Sequence, residues 1–245
     1  MVAAAASPRY SKSQVNKAGR LRAAWVEAYR AKGDEALADF LVAELFEAGE
    51  IINWWRGLHA GPLVNVNANL RHYVKGCGSV NVTQRLKRRP TIVDKLTREP
   101  TMNLTRMADI GGVRAILPKI DDIYTVSRRL RKNWDIERVR DYVKVPKASG
   151  YRAMHLIVKR KGYRIEVQLR TPNQDEWANG VEEDSRRLRI GLKSGFGPQR
   201  VHEFYVAFAE WLALEDLGQP VEDALRARVQ KRYERARPFL EPSVE

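Results

Sequence analysis

The stretch DYVKVPKASGYRAMHLIV, residues 141–158, decides how this chain is read. Tyr142–Val145 and Met154–Val158 have the apolar, β-branched character that predicts strand. Between and beside them sit Lys144, Pro146, Lys147, Ser149, Gly150, Tyr151 and Arg152. A sheet interrupted by cations, an aromatic ring and a glycine poses a functional question.

Composition bounds the answer. A chain of 245 residues accommodates one large domain, or a core with helical additions. With 44% hydrophobic and 30% charged residues, it has an ordinary soluble, globular composition. Lys and Arg number 44 against 30 Asp and Glu, a net charge of +14. Such a chain is expected to meet a polyanion: nucleic acid, nucleotide phosphates or an anionic membrane. The bland alternative is a merely well-solvated surface. Cys77 is the single cysteine, which excludes a disulfide scaffold or a Cys-rich metal site and suits a reducing compartment. The opening apolar run is too short for a signal peptide, and no run approaches a membrane span. The expectation is a cytoplasmic protein without a membrane partner.

Periodicity predicts helices over 11–31 and 34–58, broken at Gly33-Asp34, then a loop at 59–65 and a further helix over 66–76. Residues 84–98 read as a loop entering a short helix, with Pro90 near its start and Thr91 as a cap. Strands are expected at Ile110–Leu117 and Asp135–Val139, with a helix over 121–133 between them. A hairpin over 153–159 and 163–170 is turned by Lys161-Gly162. Helices follow at 174–193, 199–215 and 220–236. Phe204, Tyr205, Phe208 and Trp211 at helical spacing predict core. The expected organisation is a helical region (1–60), an α/β core (61–198) and C-terminal helices (199–245).

Two acids belong to the predicted sheet. Asp109 precedes the apolar strand, and Glu166 lies inside YRIEVQLRT with Arg164 and Gln168 on one face, opposite Ile165, Val167 and Leu169. Alternation alone equally describes a polar outer face. The cations nearby (Arg85, Lys87, Lys95, Arg98, Lys144, Lys147, Arg152) shift the balance. Two carboxylates on one face repel unless a divalent ion or a base role holds them, and Mg²⁺ takes one or two carboxylates beside phosphate oxygens. That is the chemistry of phosphoryl or nucleotidyl transfer.

Four blocks carry a family resemblance: RLKRRPTIVDK (85–95), DIGGVRAI (109–116), RVRDYVKVPKASGYRAMH (138–155) and EVQLRT (166–171) followed by Trp177. In this order they resemble the RelA/SpoT-type nucleotide pyrophosphokinases, the alarmone synthetases, across roughly residues 80–190. The resemblance implies an α/β fold with a mixed five-stranded sheet, a nucleotidyltransferase-like core flanked by helices. It implies that Asp109 and Glu166 hold Mg²⁺, with Glu166 drawing the proton from a ribose 3′-hydroxyl. Arg85, Lys87, Lys95, Arg114 and Arg140 would bind ATP, the pyrophosphate donor. Tyr151 would stack on the acceptor base, with Lys147, Arg152 and His155 beside it and Gln168 and Arg170 in support. Base stacking on one ring contributes about 1–3 kcal/mol.

The departures from the family pattern point to a subgroup. No His-Asp dipeptide occurs, so a stand-alone, synthesis-only member is expected. Ser149 stands where the family often has Asn, and RVRD replaces the common R-x-K-D. The basic segment after Trp177 resembles toxic small members encoded with antitoxins. The preferred expectation is a toxin that pyrophosphorylates the 3′ end of tRNA, countered by a cognate antitoxin protein. Arg186, Arg187, Arg189 and Lys193, with Lys12, Lys17, Arg20 and Arg22, are its candidate RNA contacts. The alternatives are synthesis of free alarmones from GDP, GTP or adenine nucleotides, and an inactive RNA-binding module.

Overall fold

The segment YRIEVQLR forms a strand that buries Ile165, Val167 and Leu169 fully and leaves Arg164, Glu166 and Gln168 half-buried, the period of two that a pleated strand imposes. The computed structural model to which it belongs describes residues 9–192 and 195–241. Its elements run α1 (Lys12–Lys32), a 3-10 helix (Gly33–Asp39), α2 (Val42–Gly57), α3 (Ala60–Tyr73), β1 (Asn81–Leu86), α4 (Arg89–Arg98) and a 3-10 turn (Leu104–Arg106). There follow β2 (Gly111–Ile116), α5 (Ile120–Asn133), β3 (Ile136–Asp141), β4 (Met154–Arg160), β5 (Tyr163–Arg170), α6 (Pro172–Arg187), α7 (Gln199–Asp216) and α8 (Asp223–Leu240). The strands make one mixed five-stranded sheet, β1-β2-β5-β4-β3, the fold class expected from the sequence. β3 pairs antiparallel with β4, Asp141 opposite Met154 and Arg140 opposite His155. β4 and β5 join through Lys161 (φ 50) and Gly162 (φ 82), two left-handed residues in succession, as a tight hairpin requires.

Contacts divide the chain into two compact units, each gathering several segments. The first takes residues up to Asn67, Gln84–Val113 and Lys159–Glu166; the second takes Ala68–Thr83, Arg114–Val158 and the chain from Val167 onward. In the first, Val15, Ala18, Ile51, Ile52, Ile92, Leu96, Leu104 and Ile110 form the core. A Cβ at Gly19 would lie 3.0 Å from Leu96 Cδ1, so only glycine lets α1 approach α4 this closely. In the second, Tyr151, Trp177, Val181, Val201, Tyr205, Leu212, Ala236 and Leu240 form one cluster, which unites α6, α7, α8 and the loop before β4. The aromatic spacing of α7 is core at three of the four expected positions: Tyr205 is buried, and Phe204 stacks on Phe208 with centroids 5.7 Å apart, whereas Trp211 is half-buried outside this cluster and donates to Glu215. α5 buries Ile123, Val126 and Leu130 on one stripe and carries acids in its first turn and bases in its last, matching its dipole.

Four local expectations are corrected. Tyr142–Val145 is a turn rather than a strand: the Asp141 carboxylate accepts from Lys144 N (2.9 Å) and its carbonyl from Val145 N (3.1 Å), which closes the chain before Pro146. HAGPLVN (59–65) is the start of α3 rather than a loop. Pro62 falls in the first turn, where its missing N–H has no intrahelical partner to lose. Residues 81–86 are an edge strand with only Val82 buried, so alternation was too weak to announce it. Thr91 does not cap α4; its hydroxyl donates to Arg88 O (2.7 Å), and Arg88 is the cap. Among the described residues, no helix is long and apolar enough to cross a membrane.

His59 shows how tightly the first unit is packed. It is 2% exposed, its Nδ1 lies 2.9 Å from Trp55 O, and its ring meets Tyr163 edge-on at 4.9 Å. Burial pushes its pKa down to about 4, against a smaller upward pull from the Trp55 carbonyl. The unfolded chain then binds this proton more readily, so stability is lost as pH falls from about 6.5 to about 4. At ~1.4 kcal/mol per pKa unit the loss reaches about 3 kcal/mol. His59→Phe keeps an aromatic ring and removes the titration. Denaturant unfolding at pH 7 and pH 4 should show wild type losing up to this much more stability than the variant; parallel pH profiles would contradict it.

Candidate active site

Asp109 stands immediately before β2, where Lys87 N donates to Ile110 O (2.8 Å) and Arg56 Nε donates to Lys87 O (2.8 Å). These bonds fix Ile110, next to the acid, and the Lys87 backbone paired with it. α4 buries Ile92, Val93 and Leu96 and so presents Lys95 on its other side. Lys87 Nζ and Lys95 Nζ each lie 3.0 Å from one oxygen of the Asp109 carboxylate. All three side chains are about one-fifth exposed. Burial pushes the Asp109 pKa up, but the charges and hydrogen bonds of Lys87 and Lys95 outweigh it and hold the group below the usual carboxylate range. Asp109 is thus ionised, and its charge is more than balanced.

Glu166 lies in the same unit, half-buried on the polar side of β5. The neighbouring β2 is packed so closely that a Cβ at Gly111 would meet Ile165 Cδ1 at 2.7 Å, and one at Gly112 would lie 4.0 Å from Glu166 O. The first glycine of DIGGVR is required by this approach, whereas the second leaves room for a side chain. Among the described residues, no group of three or more His, Cys, Asp or Glu could hold a metal alone. The donor set still fits Mg²⁺, which takes one or two carboxylates and completes its shell with phosphate oxygens and water. Asp109 and Glu166 would hold it, while Lys87 and Lys95 turned to the phosphates. Arg85 is exposed on β1. Arg98 pairs with Asp94 (3.3 Å).

The second unit holds the aromatic cluster. Tyr151 is 7% exposed, with its ring against Tyr142, His155 and Trp177. Arg170, itself 2% exposed, donates to the Tyr151 hydroxyl (2.9 Å). A guanidinium only donates, which leaves the phenol proton for His155 Nε2, 2.6 Å away. Lys147 Nζ lies over the rings of both Tyr142 (4.9 Å) and Tyr151 (5.2 Å). Arg140 donates to the Tyr142 hydroxyl (3.1 Å). The loop carrying these groups closes through Gly150 N to Lys147 O (2.8 Å) and Lys147 N to Tyr151 O (3.1 Å).

Asp175, in the first turn of α6, was missed by sequence reasoning and ties this unit together. It accepts from Arg114 (2.9 Å), Arg170 (3.0 Å) and Asn179 (3.0 Å). One signal was visible: an acid in the first turn of a helix announced by the Thr171–Gln174 capping box, close to a strand-end arginine. Arg152 goes elsewhere. Its Nη1 donates to Val143 O (2.9 Å), and it lines a cavity of about 540 Å³ with Gln174, Glu210 and Asp216.

The expected RNA contacts fall in both units. Arg186 and Arg187 pair with Glu183 and Asp184 of their own helix. Arg189 is exposed in a left-handed conformation, and Lys193 lies outside the described residues. Lys17 and Arg20 sit on α1 in the other unit, with Arg20 donating to Asn103 (3.2 Å).

Residues 84–186 match the protein-family model described as a region found in RelA / SpoT proteins, so the resemblance read from the four blocks is borne out there. The GTP pyrophosphokinase YwaC of Bacillus subtilis (strain 168) is 37% identical over 110 residues, which are 39% of this chain and 52% of that protein. YjbM of the same organism, also named a GTP pyrophosphokinase, is 35% identical over 109 residues, 40% of this chain and 52% of that one. The chain spans about half the length of the curated relatives it matches. Among solved structures, the small alarmone synthetase 2 of Bacillus subtilis superposes with a TM-score of 0.53 at 28% identity, covering 66% of this chain and 92% of that one. A GTP pyrophosphokinase family protein from Streptococcus pneumoniae shares the fold, with a TM-score of 0.58 at 24% identity over 73% of this chain and 98% of that one.

Gly150 offers a test of the acceptor-side loop. Its φ is +89°, and a Cβ would lie 2.6 Å from Ala209 Cβ on α7. Gly150→Ala should lower the melting temperature and loosen the Lys147 seat, with Ala209→Gly restoring part of the loss. The unrestored part combines backbone strain at position 150, about 1 kcal/mol or more, with the cost of about 1 kcal/mol of a glycine inside α7. Equal melting temperatures for wild type and Gly150→Ala would contradict the packing.

Proposed function

We propose that the chain is an ATP-dependent pyrophosphokinase that transfers the β,γ-pyrophosphoryl group of ATP to the ribose 3′-hydroxyl of a guanosine nucleotide. The observation that carries this reading is the Asp109 carboxylate clamped between Lys87 and Lys95 at 3.0 Å. The similarity to proteins named GTP pyrophosphokinase supports it. Bound Mg²⁺ would neutralise phosphate charge and polarise the β-phosphorus. Lys87 and Lys95 hold the triphosphate oxygens, with Arg85, Arg114 and Arg140 as further donor-side cations. Glu166 accepts the proton of the attacking hydroxyl. The O3′–Pβ bond forms, the bond from Pβ to the oxygen bridging the α-phosphorus breaks, and AMP leaves. Little covalent chemistry falls to the protein; positioning and charge neutralisation supply the rate. On the acceptor side, Lys147 moves from the Tyr142 and Tyr151 rings to phosphate, which frees an aromatic face for the base. ATP and guanosine nucleotides as substrates support a cytoplasmic reaction.

A second reading is favoured by the net charge of +14. Here the acceptor is the 3′-terminal adenosine of tRNA, and the chain is a toxin restrained by an antitoxin protein. An extended RNA needs several phosphate contacts, and the ion pair of Arg186 is exposed enough for phosphate to displace it.

Incubation with γ-³²P-ATP, Mg²⁺, GDP, GTP and deacylated tRNA decides between them. Label on guanosine nucleotides with matching AMP release is expected, and Asp109→Asn or Glu166→Gln should cut the rate by about 100-fold or more. Label on tRNA alone selects the second reading. Neither label nor AMP with any acceptor overturns both.

A further inference from the structure

The first unit carries another basic cleft, which the proposed transfer does not use. It lies between α1 and the start of α4, has a volume of about 440 Å³, and is lined in part by Arg22, Trp25, Arg30, Arg89, Thr91 and Asp94. Its charges do not balance. Asp94 is the one acid among the lining residues, and it is already engaged by Arg30 (2.8 Å) and Arg98 (3.3 Å). No lining carboxylate is left for Arg22 and Arg89. Burial lowers the Arg22 pKa, and the charge of Arg89 lowers it further, as expected of two cations sharing one space.

The hydrogen bonding is equally incomplete. Arg22 Nε and Trp25 Nε1 are buried N–H donors with no hydrogen-bond partner. Buried donors are satisfied in the great majority of cases, but these two are closed to solvent and offer nothing to a ligand in the cleft, so the charged groups must hold it. The Arg22 guanidinium lies 4.8 Å over the Trp25 ring, and Tyr29 stacks on that ring at 5.4 Å. Two guanidiniums without a lining carboxylate match a group with several acceptor oxygens and negative charge.

We propose that this cleft binds a phosphate group, with Arg22 and Arg89 as its charged donors. The phosphate belongs either to a free polyphosphate or nucleotide, or to an RNA backbone. The site is separate from the Asp109 clamp, and binding, not turnover, reports on it. Its fate is thus independent of the transfer reaction.

Calorimetric titration of the full chain with inorganic pyrophosphate, and separately with a short single-stranded RNA lacking terminal phosphates, tests the proposal. Wild type, Arg22→Gln and Arg89→Gln are compared, together with their melting temperatures with and without each ligand. Wild type should show a binding component that weakens tenfold or more in either variant, with a matching loss of ligand-induced thermal stabilisation. Arg89 is exposed, and its removal relieves repulsion, so Arg89→Gln without ligand should melt no lower than wild type. An Arg-dependent component seen only with pyrophosphate assigns the site to free phosphates; one seen with the RNA assigns it to the backbone. If both variants bind both ligands as wild type does, the proposal fails.

Discussion

One carboxylate held between two ammonium groups is the interaction on which the donor half of this protein depends. At an effective dielectric of about 20, each ammonium–carboxylate pair of this kind attracts by roughly 4 kcal/mol, much of it offset by desolvation. The net gain is small, but the arrangement is poised. Lys87 enters from the segment after β1, Lys95 from α4 and Asp109 from the approach to β2, so three separate segments must fold correctly to assemble it. A triphosphate carrying a divalent ion offers each partner a replacement. In the proposed reaction the ion would take the carboxylate and the phosphates the lysines, so ligand binding would exchange partners instead of burying new charge.

The proposed acceptor site would use the same device with different chemistry. Lys147 rests on the rings of Tyr142 and Tyr151, and Arg170 and His155 hold the Tyr151 hydroxyl. Because Asp175 binds both Arg114 and Arg170, the strand that follows DIGGV and the tyrosine of the loop share one anchor. The C-terminal helices are part of this apparatus, since α7 packs on Gly150 and its Tyr205 carbonyl receives the Trp177 indole N–H (2.8 Å).

Much of this was legible in the residues. The β4–β5 hairpin followed from alternation and the Lys161-Gly162 turn, α5 from its apolar stripe, and the core role of α7 from its aromatic spacing. The failures have physical causes. An edge strand with one buried residue hides its period, a first-turn proline imitates a loop, and an aspartate that closes a turn on its own backbone ends a strand early. Among the site residues, motif order could name Asp109, Glu166 and Tyr151. It could not show that Lys147 covers the ring or that Arg152 turns into another cavity, because side-chain direction depends on packing from distant segments. Asp175 and Arg89 went unassigned for the same reason: Arg114 lies 61 residues from Asp175, and the Arg22 that faces Arg89 comes from another helix.

The direct test of the clamp is the ionisation of Asp109 itself. A ¹³C-carboxyl NMR titration, with the resonance assigned through Asp109→Asn, should give a midpoint below the ordinary aspartate value of about 3.9. Replacing Lys95 by methionine should raise that midpoint, because burial would then act against one ammonium group instead of two. An unshifted midpoint in the wild type, or one indifferent to Lys95→Met, would contradict the account.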